Sequence, residues 1–316
     1  MSAFFLNKGI KDIANTLTGN ENVYLGIRPY GFHAGNMLPL VVYPLLLCDE
    51  LTKIKIEPRF TFFVFINDWE QDGLSCPDVK NYPFNIYPKN TTFQYMESKE
   101  KPLMNMVDYW EPVILENVKR IQQEYPSVRI NSIRNSEMKY SPVMKKYLLL
   151  TIKKPNIIAN ILRKHTKNKV LKRPLAYAMA ICPNCQKAKG ESKVEKEDMI
   201  IHTCEHCGKV TKNIYENFDY WFYHKPLAIP RLEVYDIDIC ITGLDHYNEG
   251  DYTSRQELIK AYKSKAKMPK TLYTPIVLGK NGRVMGKSRG NTEVIDTKYL
   301  QKLVKKNKNK EYIKIS

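Results

Sequence analysis

Phe62-Phe-Val-Phe-Ile66 is an unbroken apolar run of aromatic and β-branched residues. A strand with one face in water alternates apolar and polar positions, and this run has no polar face. It reads as a strand buried on both sides, in a sheet covered by helices above and below. Residues 23–27, closed off by Gly26 and Pro29, also read as a strand, as do 237–241 and 272–278, and 128–133 reads as another short strand. Helical spacing lies between these runs: at 36–52 despite Pro39 and Pro44, at 105–124, at 142–164 with a break near Pro155, at 255–263 and at 296–306. Residues 68–92 hold Pro, Gly and Asn without periodicity and read as loop. Strands alternating with helices predict an α/β fold with a doubly wound parallel sheet. No internal repeat is present.

The 316 residues allow one large α/β domain with a sizeable insertion. At 43% hydrophobic and 26% charged, the chain is not a disordered one. The longest apolar stretch, 38–48, is shorter than the roughly 18 residues of a membrane span and holds two prolines, so no spanning helix is expected. The N-terminus has neither a basic start nor a small-residue cleavage site, so no secretory signal is expected and the setting is read as cytoplasmic. Lys plus Arg number 50 against 33 acidic residues, a net charge of +17. That excess suits a polyanionic partner, or else reflects a lysine-rich proteome; the densest runs are 163–173 and 302–310.

Four of the seven cysteines form two pairs, Cys182-Pro-Asn-Cys185 and Cys204-Glu-His-Cys207, with 18 residues between the pairs. Two tight turns can present four thiolates tetrahedrally, which suits a structural Zn2+ with no open coordination position. His202 and His206 stand beside these ligands. Cys48, Cys76 and Cys240 stand alone and read as small buried side chains. An odd count at these spacings is no disulfide framework, which fits a reducing compartment.

Three further motifs follow strands. Gly26-Ile-Arg-Pro-Tyr-Gly-Phe-His33-Ala-Gly35-Asn36 joins the first strand to the first helix, at the edge where nucleotides bind in parallel sheets; the alternative is a Gly/Pro turn with a chance histidine. Gly282-Arg-Val-Met285-Gly-Lys287-Ser288-Arg-Gly-Asn291 is a glycine-rich basic loop that could clamp a triphosphate, or simply an exposed basic loop. Thr242-Gly243-Leu-Asp245-His246 follows the strand at 237–241, where a carboxylate can meet a ribose hydroxyl or serve structure alone.

Taken together, these motifs resemble those of class I aminoacyl-tRNA synthetases. His33-Ala-Gly35-Asn36 is similar to the HIGH signature, and Val284-Met285-Gly-Lys287-Ser288 to the KMSKS loop. Ser136-Glu137-Met138 with Tyr140, the cysteine pairs placed before the G-x-D-H strand, and Gly243-Leu-Asp245-His246 most resemble the class I lysyl-tRNA synthetases, without their anticodon-reading domain. The resemblance spans roughly residues 24–300.

The resemblance implies that an amino acid, lysine or a lysine-like one, reacts with ATP and Mg2+ to give an aminoacyl-adenylate and pyrophosphate. The aminoacyl group then passes to tRNA. By that likeness His33 and Asn36 contact ATP, Gly26 and Gly35 make room for it, and Gly243, Asp245 and Met285 complete its site. Lys287 and Ser288 hold the pyrophosphate, and His246 lines the amino acid. A basic amino acid needs a carboxylate, for which Asp68, Glu137 and Asp245 are candidates. Departures from the pattern are one residue fewer between Pro29 and His33, Val284 and Gly286 in the loop, and Trp221-Phe-Tyr-His-Lys-Pro before G-x-D-H. A non-tRNA acceptor, or a tRNA-binding regulatory relative, remain alternative readings. The expected organisation is a first catalytic half at 1–173, a zinc knuckle at 174–212, a second catalytic half at 213–275, and the basic loop, its helix and tail at 276–316.

Overall fold

A computed structural model describes residues 3–29, 33–70, 90–98, 101–165, 177–285, 296–307 and 310–315. Lys287, Ser288, Cys76 and most of the expected basic loop lie outside them.

The first half of the chain runs β1 (Ala3–Phe5), α1 (Leu6–Ala14), β2 (Asn22–Ile27), α2 (Ala34–Met37), α3 (Tyr43–Lys53), β3 (Thr61–Ile66), α4 (Met106–Val118), α5 (Arg120–Glu124), β4 (Arg129–Arg134), α6 (Pro142–Lys153) and α7 (Pro155–His165). The cysteine region follows as β5 (Ala178–Ala180), β6 (Gly190–Val194), β7 (Met199–Cys204), β8 (Val210–Ile214) and β9 (Tyr220–Phe222). The chain then continues through α8 (His224–Val234), β10 (Ile239–Gly243), α9 (Leu244–Asn248), α10 (Asp251–Tyr262), β11 (Lys270–Thr274), β12 (Ile276–Leu278), α11 (Thr297–Lys306) and β13 (Tyr312–Lys314).

Six strands form one parallel sheet in the order β1-β11-β10-β2-β3-β4. From β2 the chain winds one way through β3 to β4, then returns to place β10 on the other side of β2 and β11 beyond it. The winding therefore reverses between β2 and β10, where Ile239, Cys240 and Ile241 lie against Val23, Tyr24 and Leu25. Outside the carboxyl ends of two such strands a crevice opens, because their connections leave in opposite directions.

The run at 62–66 is an inner strand, with Phe62, Val64, Phe65 and Ile66 fully buried. By contrast β4 is an edge: its sequence RINSIR is mostly polar, as an edge exposed to water requires. The expected strand at 272–278 is two strands. Pro275 has no N–H to continue the ladder, so β11 ends in the main sheet and β12 pairs with β13 instead. Likewise the expected helix at 105–124 is two, with Lys119 between them. The sequence reading missed α8, whose Pro226 and Pro230 argue against a helix, and also β1 and α1.

The run Ala34–Lys53 is continuous and apolar enough to meet the length criterion for a span, contrary to the expectation that none would. Most of it is buried against the sheet, so it is a core helix. Pro39 and Pro44 are absorbed by a π-helical turn at Leu38–Val42, where the Tyr43 amide donates to the Leu38 carbonyl, five residues back.

Near the cysteines β6, β7 and β8 make a small antiparallel sheet, and β5 pairs with β9 at its base. His202 is fully buried here; its Nδ1 lies 3.0 Å from the Ser192 hydroxyl, which accepts from the Ala180 amide. The Ser192 hydroxyl thus joins the small sheet to β5, with the His202 ring beside it.

Candidate active site

The connections that leave β2, β3, β4 and β10 meet at the carboxyl edge. After β2, His33 caps α2: its Nδ1 accepts from the Gly35 amide at 3.1 Å, which puts the proton of the neutral ring on Nε2. The ring lies across Gly35, where an added Cβ would meet His33 Cε1 at 3.0 Å. Asn36 follows in the same turn, its amide donating to the His33 carbonyl. At Gly26 a Cβ would meet the Tyr24 hydroxyl at 2.8 Å. That ring is pinned, stacked on Phe65 with centroids 4.8 Å apart, and Arg231 donates to its oxygen.

Arg231 of α8 is fully buried beneath this edge. Its guanidinium donates to the side-chain oxygens of Asn67 after β3 and Asn135 after β4, and to Tyr24 of β2 at 2.6 Å. It also lies over the Phe65 ring, 5.1 Å from the centroid. No carboxylate pairs with it among the described residues. One fork thus ties β2 and the ends of β3 and β4 to a helix distant in sequence.

Asp68 is also buried. Its carboxylate accepts from the amides of Asn135 (2.9 Å) and Ser136 and from the Ser136 hydroxyl, joining β3 to β4. Burial pushes its pKa up to about 6, against the pull of those hydrogen bonds. Glu137 is exposed and accepts from the Arg134 amide of its own turn. Met285 is buried in the main core, its amide bonded to the Val277 carbonyl, and so anchors the start of the basic loop.

After β10, Gly243 opens α9 and Asp245 folds back over it, with Oδ1 where a Gly243 Cβ would need to be. His246 lies edge-on to His224, the first residue of α8, with ring centroids 6.2 Å apart. Asp251, at the start of α10, completes a triangle: one ligand-capable atom from each of the three residues lies within 4.8 Å of the others. Arg255 donates to Asp251 Oδ2 at 3.0 Å. Arg28 pairs with the buried Glu70, whose other oxygen is 3.8 Å from His224 Nδ1. Burial would raise the Asp251 pKa, but Arg255, His246 and Lys225 hold it below the usual carboxylate range. Burial opposes a charged His246, yet Asp245, Asp251 and Glu249 outweigh it and raise its pKa. For His224 burial dominates and the pKa falls well below 6.5.

His224, Asp251, Arg28, Glu70 and Arg231 escaped the sequence reading. His224 did carry a signal, since it stands just past a short apolar run, as His33 and His246 do.

The four paired cysteines converge as their spacing predicts. Cys182 and Cys207 Sγ are 3.6 Å apart, and Cys185 and Cys204 Sγ 3.7 Å. A tetrahedron of sulfurs about 2.3 Å from a centre has edges of about 3.8 Å, so the residues fit a closed four-thiolate metal site. The Lys209 amide pulls the Cys207 thiol down to about 6, while burial pushes Cys185 up to about 12.

A family model described as tRNA synthetases class I (K) matches residues 106–307. Among solved structures, the chain is similar to tyrosyl-tRNA synthetase from Archaeoglobus fulgidus complexed with L-tyrosine: 14% identity over 91% of this chain and 65% of that one, TM-score 0.43. A putative arginyl-tRNA synthetase from Campylobacter jejuni gives 15% identity over 97% of this chain and 70% of that one, TM-score 0.40. Tyrosyl-tRNA synthetase from Aeropyrum pernix gives 14%, 90%, 60% and 0.42 in the same order. The chain thus spans just under two thirds of the first of these structures. No curated protein matches the sequence. The family match runs from α4 to the end of α11 and takes in the four cysteines, the turn after β4 and the G-x-D-H turn after β10; on that match, over well more than half of its length, the chain belongs to the class I tRNA synthetases.

Proposed function

We propose that the protein activates an amino acid with ATP and Mg2+ to an aminoacyl-adenylate and passes the aminoacyl group to tRNA. The observation that carries this reading is the reversal of the sheet between β2 and β10, with the His33-capped turn leaving one strand and Asp245-His246 leaving the other. A nucleotide in that crevice would meet the start of α2 at its phosphates and the Asp245 side at its ribose. His33 and Asn36 would then act on the phosphates, with Gly26, Gly35, Gly243 and Met285 shaping the ATP site. Lys287 and Ser288 would hold the leaving pyrophosphate. Such catalysis is positioning and charge stabilisation and needs no covalent nucleophile.

Lysine, or an amino acid like it, is the favoured substrate, as the family description suggests. Of the candidate carboxylates, Asp68 is occupied by hydrogen bonds and Glu137 caps its own turn. That leaves Asp245, exposed beside His246, as the candidate carboxylate for an ammonium group. The net charge of +17 supports a tRNA acceptor, since phosphate neutralisation dominates such binding. The four-cysteine cluster would hold a structural zinc within the 174–212 knuckle, which contributes folding energy and no chemistry. Thiolates held on a metal and not in disulfides suit a reducing compartment such as the cytoplasm.

Amino-acid-dependent ATP–pyrophosphate exchange, scanned over the twenty amino acids with and without total tRNA, tests the reading. Exchange with lysine, followed by a charged tRNA, is the expected result. Exchange with no charging of any tRNA would move the acceptor to a small molecule, peptide or carrier. No exchange in either condition would remove the enzymatic reading.

A further inference from the structure

We propose that His224, His246 and Asp251 form a divalent-metal site, separate from the four cysteines, which holds zinc through three protein ligands. The three come from different elements, the starts of α8 and α10 and the turn of α9, and only the fold brings them together. Their ligand-capable atoms lie within 4.8 Å of one another. Three atoms no more than 4.8 Å apart always have a point within about 2.8 Å of all of them, so an ion at about 2.1 Å requires each to move in by under about 1 Å.

The surroundings are those of ligating groups. His224 Nε2 is buried and has no hydrogen-bond partner among the described residues, although buried ring nitrogens are rarely left so. On the other side of the same ring, Nδ1 faces the buried Glu70 carboxylate at 3.8 Å. At that distance the carboxylate makes no hydrogen bond to the ring, but its negative charge lies beside the imidazole, as second-shell carboxylates do at metal-bound histidines. Arg255 likewise steadies Asp251 through Oδ2, the kind of outer contact a ligating carboxylate receives. Close by stand the carboxylates of Glu70, Asp245, Glu249 and Asp251, alongside the cations Arg28, Lys225 and Arg255. Two imidazoles and a carboxylate suit zinc and leave a fourth position for water or a donor atom of a substrate.

The site stands on its own residues and needs neither the amino acid identity nor the acceptor. Cobalt(II) titration of the apo-protein reads it without any assay of activity. The four-thiolate site gives intense sulfur-to-cobalt charge transfer, whereas an imidazole–carboxylate site gives only weaker visible d–d bands. The expected result is one cobalt equivalent of each kind, with the band lacking charge transfer abolished in both His224→Gln and His246→Gln. Zinc analysis should then show one ion fewer in each variant than in the wild type. Far-UV circular dichroism checks that each variant folds, and either one alone suffices. The two spectra are distinct, so an empty four-cysteine site would not mask the result. A wild type without the second band, or folded variants that keep it, would overturn the proposal.

Discussion

Replacing Arg231 with Met probes how the carboxyl edge of the sheet is held. Met fills similar space and keeps apolar contact with Phe65, but it donates nothing. The side-chain oxygens of Asn67 and Asn135, both buried, would lose their guanidinium donor, and the Tyr24 hydroxyl would lose a third bond. Each buried acceptor left unsatisfied costs about 1–3 kcal/mol, and loss of the cation–ring contact adds about 1 kcal/mol. Against this, a charge with no carboxylate partner among the described residues no longer has to be desolvated, which returns part of the loss. The expected net destabilisation is about 2–4 kcal/mol, read from urea unfolding by circular dichroism at matched m-values. Arg231→Lys separates charge from geometry. Lysine keeps the charge but donates from a single nitrogen, so it cannot span three acceptors on three strands. It should be no more stable than the Met variant. A loss below about 1 kcal/mol for Met, or rescue by Lys, would refute the claim that the planar fork holds these strand ends.

Other outcomes follow from the same geometry. Asp68 binds its proton more tightly folded, at about 6, than an unfolded aspartate near 3.9. Its contribution to stability is therefore full below about pH 4 and is lost as pH rises through about 6, on the order of 3 kcal/mol in all. Asp68→Asn should flatten that part of the stability–pH curve, and parallel curves for variant and wild type would show that burial does not govern this carboxyl. Cys182→Ser should lose bound zinc and melt below the wild type, as a structural four-thiolate site requires; a metal-free variant with wild-type melting would count against it. Under the proposed activity, Lys287→Ala should slow adenylate formation by about 10²–10³, the scale for one charge-stabilising group, and unchanged exchange would remove Lys287 from catalysis.

How much of this could be read from the chain alone divides along a physical line. Burial periodicity is local, so the run at 62–66 announced an inner strand, and alternating elements announced a parallel α/β sheet. The cysteine spacing announced its cluster for a similar reason, since two short turns fix each pair before any tertiary packing. His33, Asp245 and His246 stood out as candidates because each stands just beyond a strand. Proline chemistry was read in part: Pro155 does separate α6 from α7, but Pro275 splits a strand expected to be whole, and Pro226 and Pro230 sit within a helix.

Pairing across the chain was not legible, because nothing local encodes it. The order β1-β11-β10-β2-β3-β4, and with it the crevice between β2 and β10, depends on which edges of which strands meet. Arg231 reads in sequence as one more basic residue; only the fold sets it against Asn135, Asn67 and Tyr24, 96, 164 and 207 positions away. His224, His246 and Asp251 are likewise three ordinary residues until α8, α9 and α10 begin at the same place. The sequence alone determined which segments are buried and where reactive side chains follow strands; tertiary structure decided which of them share a site, because the free energy of bringing distant groups together comes from the packing of the whole core and not from the residues that meet.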